Sequence, residues 1–321
     1  MGQQQTFAGL AWNGKKKRTR RERFLTEMEA AIPWAQLLAV VAPKYPAPKR
    51  GRGVMPLERM LRIYFCQQWF NLSDPAMEDA LYDSESIRRF VGIELGDDAV
   101  PDETTILHFR HRLEKHALTE TLFETVNALL ERKGLLVKRG TIVDATILHA
   151  PSSTKNEAET RDPEMRQTRK GKQWYFGMKV HTGSDLKGLV HSIHTTDAAQ
   201  ADINQLPALL SGQERVLYGD QAYWSQGHRE MFEGLGIAYR VNRRGTKAKP
   251  LTEHEKWINR TRSRRRAWGE HAYHTVKAIF GFTKVRYRGL QKNTVRVYAA
   301  FMLANLFRAR KRLRPGWATC L

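Results

Sequence analysis

Leu57, Met60, Leu61, Tyr64, Phe65 and Trp69 recur at the spacing of one helical face, so the chain from Pro56 opens a helix with a single apolar stripe. Asp74 followed by Pro75 reads as the start of the next helix, which carries Met77, Ala80 and Leu81 inward. A short helix over 87–91 follows. Pro101-Asp102 opens another, with Ile106, Phe109 and Leu113 on its apolar side and Thr105, His108, Arg112 and Lys115 on the other. That polar side suits either the recognition helix of a helix-turn-helix, reaching phosphates and base edges, or an ordinary solvated face. A last helix over 119–132 packs Leu122, Phe123, Val126, Leu129 and Leu130 and stops at Gly134. Ahead of these lie a short apolar helix over 24–41 and a Pro/Gly/basic linker over 43–53.

From Gly140 the period changes. Residues 141–147 are apolar or β-branched around a single carboxylate, a strand buried on both faces. A polar stretch over 152–172 reads as a loop. Trp174, Phe176, Met178 and Val180 then alternate with Tyr175, Gly177, Lys179 and His181, and Leu189, His191 and Ile193 alternate after a turn. A helix over 206–210, a strand over 215–220, a helix over 228–235 and a strand over 237–241 complete the pattern. Three meander strands followed by α-β-α-β is the ribonuclease-H-like order. The expectation is an α/β ribonuclease-H-like domain, a mixed five-stranded sheet with helices, preceded by an all-α DNA-binding region. The divisions expected are 1–55 (basic arm and linker), 56–135 (helical DNA-binding domain, a candidate helix-turn-helix), 136–315 (catalytic domain) and 316–321 (tail). The stretch over 295–307 is apolar nearly all round and reads as a buried helix capping that domain.

Charge narrows the partner. The 54 Lys and Arg against 33 Asp and Glu leave the 321-residue chain at +21, which calls for a polyanion. Nucleic acid leads, and an anionic membrane surface is a weak second. Seven of the nine residues over 15–23 are basic (Lys15, Lys16, Lys17, Arg18, Arg20, Arg21 and Arg23), either an arm lying on phosphates or a solvated tail. Arg308, Arg310, Lys311, Arg312 and Arg314 form a second run with the same two readings. No apolar run reaches the roughly 18 residues of a membrane span. The start of the chain lacks an apolar signal region, so a cytoplasmic protein is expected. Cys66 and Cys320 lie far apart and form no paired ligand motif.

Three carboxylates carry the candidate chemistry. A lone Asp144 in a buried strand needs a cation, a hydrogen-bond network or an exposed strand end, since burying it unaided costs several kcal/mol. Asp220 ends the fourth strand, and ligands of α/β sheets bind beyond such ends. If those strands pair centrally the two carboxylates repel, unless a divalent cation sits between them. Oxygen ligands without Cys or His point to Mg²⁺ or Mn²⁺. Arg266, Glu270, His274 and Lys277 share one face at helical spacing, behind a cationic run that includes Arg264 and Arg265. Taken alone, Glu270 is equally an ordinary i,i+4 ion-pair partner.

Longer motifs then match a known family. They include Thr141 to Ile147, Ala150 to Asn156, Arg161 to Met165, Gln173 to Lys179, Gly219 to Tyr223, Glu270-His271, Phe280-Gly281-Phe282 and Val285 to Leu290. In the first half Asn71 to Asp74, Ala76 to Tyr82, Pro101-Asp102 and Phe109-Arg110-His111 match as well. Over nearly its whole length the chain resembles an insertion-sequence DDE transposase of the IS-five group within the IS-four superfamily. The resemblance implies Asp144, Asp220 and Glu270 as ligands of two Mg²⁺ ions, with Mn²⁺ as a substitute. It also implies active-site roles for Arg266 and Lys277, which fit the spacing of the superfamily's Tyr-Arg-Glu-Lys signature. Ser263 stands at the tyrosine position. Gly219 and Gln221 stand where alanines are usual, and Trp268 and Ala272 replace the common Arg and Pro.

The expected activity is binding of the terminal inverted repeats of an insertion sequence, with metal-dependent cleavage and strand transfer on double-stranded DNA. Synapsis of two ends implies a homodimer. The alternatives are an endonuclease of the same fold without transposition and a DNA-binding regulator without catalysis. Lys15, Lys16, Lys17, Arg18, Arg20, Arg21, His108, Arg112, Arg264, Arg265, Arg266 and Lys277 are the expected DNA contacts.

Overall fold

The computed structural model describes residues 12, 14–47, 53–154, 160–246 and 248–313. Its sheet is built on β1 (Gly140–His149), to which β3 (Gln173–Ser184) pairs antiparallel along nearly its whole length. β5 (Val216–Gly219) pairs parallel on the other side of β1, and β6 (Ala238–Val241) pairs parallel with β5. β4 (Val190–Asp197) lies antiparallel on the inner half of β3, giving the order β4-β3-β1-β5-β6. An antiparallel meander feeding two parallel strands is the ribonuclease-H-like arrangement.

The sheet has six strands, not five. β2 (Arg166–Lys170) pairs with the outer half of β3 across a turn at Gly171, within the stretch expected to be loop. Its sequence Arg-Gln-Thr-Arg-Lys gives no apolar alternation because this part of the ribbon runs past the core. Period-2 patterning marks only strands with one buried face.

Helices cover both faces. The face carrying Val143, Leu217, Tyr239 and Val241 packs on Leu206 and Leu209 of a 3₁₀ segment, Asp202–Leu209, and on Phe232. Phe232 belongs to α8 (Gln226–Gly234). The opposite face meets α9 (Glu253–His274) and α10 (Leu290–Leu313). The helical half comprises α1 (Arg20–Glu29), α2 (Trp34–Val41), α3 (Leu57–Phe70), α4 (Asp74–Asp83), α5 (Glu85–Val91), α6 (Glu103–Lys115) and α7 (Leu118–Arg132). The single helix expected over 24–41 is two, broken ahead of Trp34 where Pro33 removes an N–H donor.

One apolar core runs from Leu25 and Leu37 through Phe65 and Leu122 to Met178, Val180 and Phe301. It crosses the boundary expected near residue 135. Polar locks reinforce that union. Asn71, which ends α3 in left-handed backbone (φ 52°), donates to Gly281 O at 2.9 Å and accepts from Arg296 at 2.7 Å. Asn305 of α10 bonds both the N–H and the C=O of Val190 and donates to Asn127 of α7. Among the described residues no single helix is long and apolar enough to cross a membrane.

Candidate active site

The parallel register of β1 and β5 places Ile142 beside Tyr218. Asp144 lies two residues beyond the first and Asp220 two beyond the second, in backbone still extended at Asp220 (φ −78°, ψ −179°). Side chains two apart leave the same face of a strand, and neighbouring strands lie about 5 Å apart. The two carboxylates therefore emerge side by side at the carboxyl end of the parallel pair.

Glu270 arrives from α9, which lies on that same face. Gly269 permits the approach, because a Cβ there would stand 2.9 Å from Ile142 Cγ2 and 3.4 Å from Ser184 Oγ. Arg266, one turn earlier, ties the pieces together. Its Nη2 donates to Glu270 Oε1 at 2.6 Å and its Nη1 to Asp144 Oδ2 at 3.4 Å. The remaining Asp144 oxygen, Oδ1, accepts from the Ala145 N–H at 2.9 Å, and Asp220 Oδ1 accepts from the Ala222 N–H at 2.8 Å.

The electrostatics follow this geometry. Burial raises the Asp144 carboxyl to about 6; Arg266 and the Ala145 N–H pull it down, while Asp220 and Glu270 push it further up. Three carboxylates thus act on one another, and one guanidinium does not balance them. Among the described residues no three carboxylate, imidazole or thiolate groups close into a metal-ligand cluster. Arg266 instead bridges two of the three candidates. The donor chemistry nonetheless fits a hard divalent cation: oxygen ligands, an excess of negative charge, and no Cys or His in the set.

Lys277 departs from the expected shared face. The α-helical spacing ends at His274, and a π turn over Thr275–Ile279 follows. That turn swings Lys277 inward, where its Nζ donates to Ile147 O of β1 at 2.7 Å. Burial lowers its ammonium, and Lys170 adds to the effect. It therefore stands beside β1, three residues past Asp144, rather than beside Glu270.

The other expected DNA contacts lie elsewhere. Lys16, Lys17, Arg18 and Arg20 are exposed, but the run over 15–23 is not a free arm. Thr19 caps α1 in a capping box with Glu22, Lys15 pairs with Glu22 at 2.6 Å, and Arg21 donates to Ser84 Oγ. His108 is exposed on α6, while Arg112 is engaged with Lys44 O at 3.0 Å. Arg264 and Arg265 are exposed on α9. Of the C-terminal basic run, Arg308 donates to Lys187 O and Arg310 pairs with Glu27 at 2.7 Å; Arg314 and the tail 316–321 lie outside the described residues.

Sequence reasoning missed two residues here. Tyr273 is buried one turn past Glu270 and donates to Asp144 O at 2.9 Å. Gly269 carries no chemical signal, and only its contact with Ile142 reveals it. Ser263, where the resemblance leads one to expect a tyrosine, accepts from Asn242 Nδ2 at 2.9 Å.

Comparison with known proteins gives this site its setting. A solved chain described as "Crystal structure of the Mos1 Strand Transfer Complex" covers 95% of this chain and 98% of its own, at 13% identity and a TM-score of 0.28. So loose a superposition leaves the strand order to rest on the register above. The model described as "Transposase domain (DUF772)" matches residues 13–112, most of the helical half. The model described as "Transposase DDE domain" matches residues 136–306, more than half of the chain and all of the sheet with the three carboxylates. On that match the chain belongs to the DDE-domain transposase family.

Proposed function

We propose that this transposase, of the IS-five group, binds the terminal inverted repeats of its insertion sequence and catalyses strand cleavage and strand transfer at Asp144, Asp220 and Glu270. The observation that supports this most is the level placement of Asp144 and Asp220 on β1 and β5, with Glu270 joined to Asp144 through Arg266. Two divalent cations, Mg²⁺ or Mn²⁺, would supply activation of the attacking water or 3′-hydroxyl and neutralisation of the leaving oxygen. The three carboxylates would hold them, once the long Arg266–Asp144 contact opens. Arg266 then suits a bidentate grip on a phosphate beside the scissile bond, since its planar fork matches two oxygens. Lys277 holds its ammonium on β1 and reaches a phosphate farther along the strand. Two ends must be held together for transfer, so the active form is at least a homodimer, at work on the bacterial nucleoid in the cytoplasm.

Asp144→Asn, Asp220→Asn and Glu270→Gln keep side-chain size and remove a ligand charge. Each is expected to abolish cleavage and strand joining while end-DNA binding stays within a few-fold of wild type. Losses in double variants are expected to be non-additive, because groups acting as one unit fail together. If Glu270→Gln cuts within a few-fold of wild type in Mg²⁺, Glu270 is only a surface ion-pair partner and this reading fails. Cleavage by the wild type without strand joining would favour an endonuclease. End binding with neither activity would favour a regulator.

A further inference from the structure

The β2–β3 ribbon has no place in the chemistry above, yet its composition is one-sided. Arg166, Arg169, Lys170 and Lys172 are all exposed, and no acidic residue lies between Arg166 and Trp174. Trp174 is 64% exposed, an aromatic face open to solvent among those cations. The register sets Arg169 opposite Trp174, so those two share one face of the ribbon. Lys170 and Thr168 take the other face with Tyr175, whose ring lies 5.1 Å from His149 at the end of β1. Lys170 also acts on Lys277, whose ammonium burial lowers first and Lys170 lowers further. The ribbon is thus anchored past the end of the strand that carries Asp144, where its pairing on β3 begins at Gly177, five residues from Thr182, the partner of Asp144.

We propose that the β2–β3 hairpin is a DNA-contacting ribbon: its four cations lie on phosphates of the strand leaving the active site, and Trp174 stacks on a base of that strand. A cationic strand pair with an exposed aromatic is the composition that holds nucleic acid through charge and stacking together. The inference rests on the transposase reading, and DNA is the partner favoured by the charge. A protein partner would be expected to place acidic or apolar neighbours around Trp174.

Fluorescence anisotropy of the full-length chain with two probes tests this: a duplex transposon end, and the same end carrying three unpaired flanking nucleotides. Each is titrated across a range of salt. Changing Arg169, Lys170 and Lys172 together to Ala is expected to lower the log–log salt slope by about 2 to 3 on the duplex. Trp174→Ala is expected to leave that slope unchanged and weaken the unpaired probe by about tenfold, more than it weakens the duplex, with Trp174→Phe restoring most of the loss. All these residues are exposed, so unchanged thermal melting serves as the folding control. Wild-type affinity and slope in every variant would overturn the inference, as would a Trp174→Ala loss explained by a change in oligomeric state. Failure of the wild type to bind either probe would instead sink the end-binding reading itself.

Discussion

The Tyr273 hydroxyl donates to the backbone carbonyl of Asp144 at 2.9 Å and meets Thr182 Oγ1 at 2.8 Å, joining the Glu270 helix to the Asp144 strand. Asp144 pairs with Thr182 of β3, and the hydroxyl binds on that side, where Val180 O also lies within 3.3 Å. The hydroxyl therefore fixes the spacing of two carboxylates from a position that touches neither.

Tyr273→Phe keeps the ring and removes the hydroxyl that joins Asp144 O to the buried Thr182 side chain, which costs about 1–3 kcal/mol. Thermal melting is expected to fall by several degrees. Cleavage is expected to fall more than end-DNA affinity, because the site is misplaced rather than lost. A variant that melts early but cleaves at the wild-type rate would show the bond to be structural alone.

Gly269→Ala makes the complementary test from the other side. The added methyl meets Ile142 Cγ2 at 2.9 Å, and Ile142 is fully buried in a central strand, so α9 must move outward. Displacements near 1 Å in a positioned site cost roughly 100-fold in rate. Cleavage is expected to drop by at least tenfold, with Gly269→Val worse than Gly269→Ala. Equal activity in all three proteins, measured on a pre-nicked end, would mean that Glu270 needs no such close approach.

Much of this site was legible because its members sit on regular elements. Asp144 stood out as a charge inside an apolar strand, and Asp220 as a carboxylate at a strand end. Glu270 and Arg266 were linked by a spacing of four, and the structure brings that pair together. Residues acting by shape or through backbone left no such mark. Gly269 is a missing side chain. Tyr273 looks like core until its hydroxyl is traced. The bond from Lys277 to Ile147 O was not legible, because a π turn does not announce itself in the residue pattern. β2 escaped for a related reason, since a strand exposed on both faces has no period to read. The helix start inside the basic run over 15–23 was hidden because Thr19 and Glu22, a capping pair, are outnumbered there by cations.

Acid stability should turn on His191. Its Nε2 lies 3.1 Å from Thr141 Oγ1, and that hydroxyl donates to Glu214 at 3.0 Å, so the imidazole is neutral with its proton on Nε2. Burial lowers it to about 4, against an opposing pull from Glu214. The unfolded chain, titrating near 6.5, binds this proton first. The stabilisation is therefore complete above pH 6.5 and is lost as pH falls toward 4. Urea unfolding at pH 7 and pH 5 is expected to differ by about 2 kcal/mol from this site. His181, which burial also lowers to about 4, adds in the same direction. His191→Asn should remove roughly half of the dependence and leave the part owed to His181; an unchanged slope would assign the acid sensitivity elsewhere.

Arg266 poses the sharpest question, because its cation stands where added positive charge is wanted. It holds Glu270 at 2.6 Å but Asp144 only at 3.4 Å. If it is a placeholder that yields to divalent cations and then grips phosphate, Arg266→Ala should bind Mn²⁺ several-fold more tightly in the absence of DNA. The same variant should cleave at least tenfold more slowly. Arg266→Lys should recover little, since a single ammonium cannot span two carboxylates or two phosphate oxygens. Calorimetric titration of Mn²⁺ separates this from the opposite role, in which the guanidinium organises the ligands. Weaker Mn²⁺ binding by Arg266→Ala would mean that Asp144 and Glu270 depend on Arg266 for their placement, and the placeholder account would have to be abandoned.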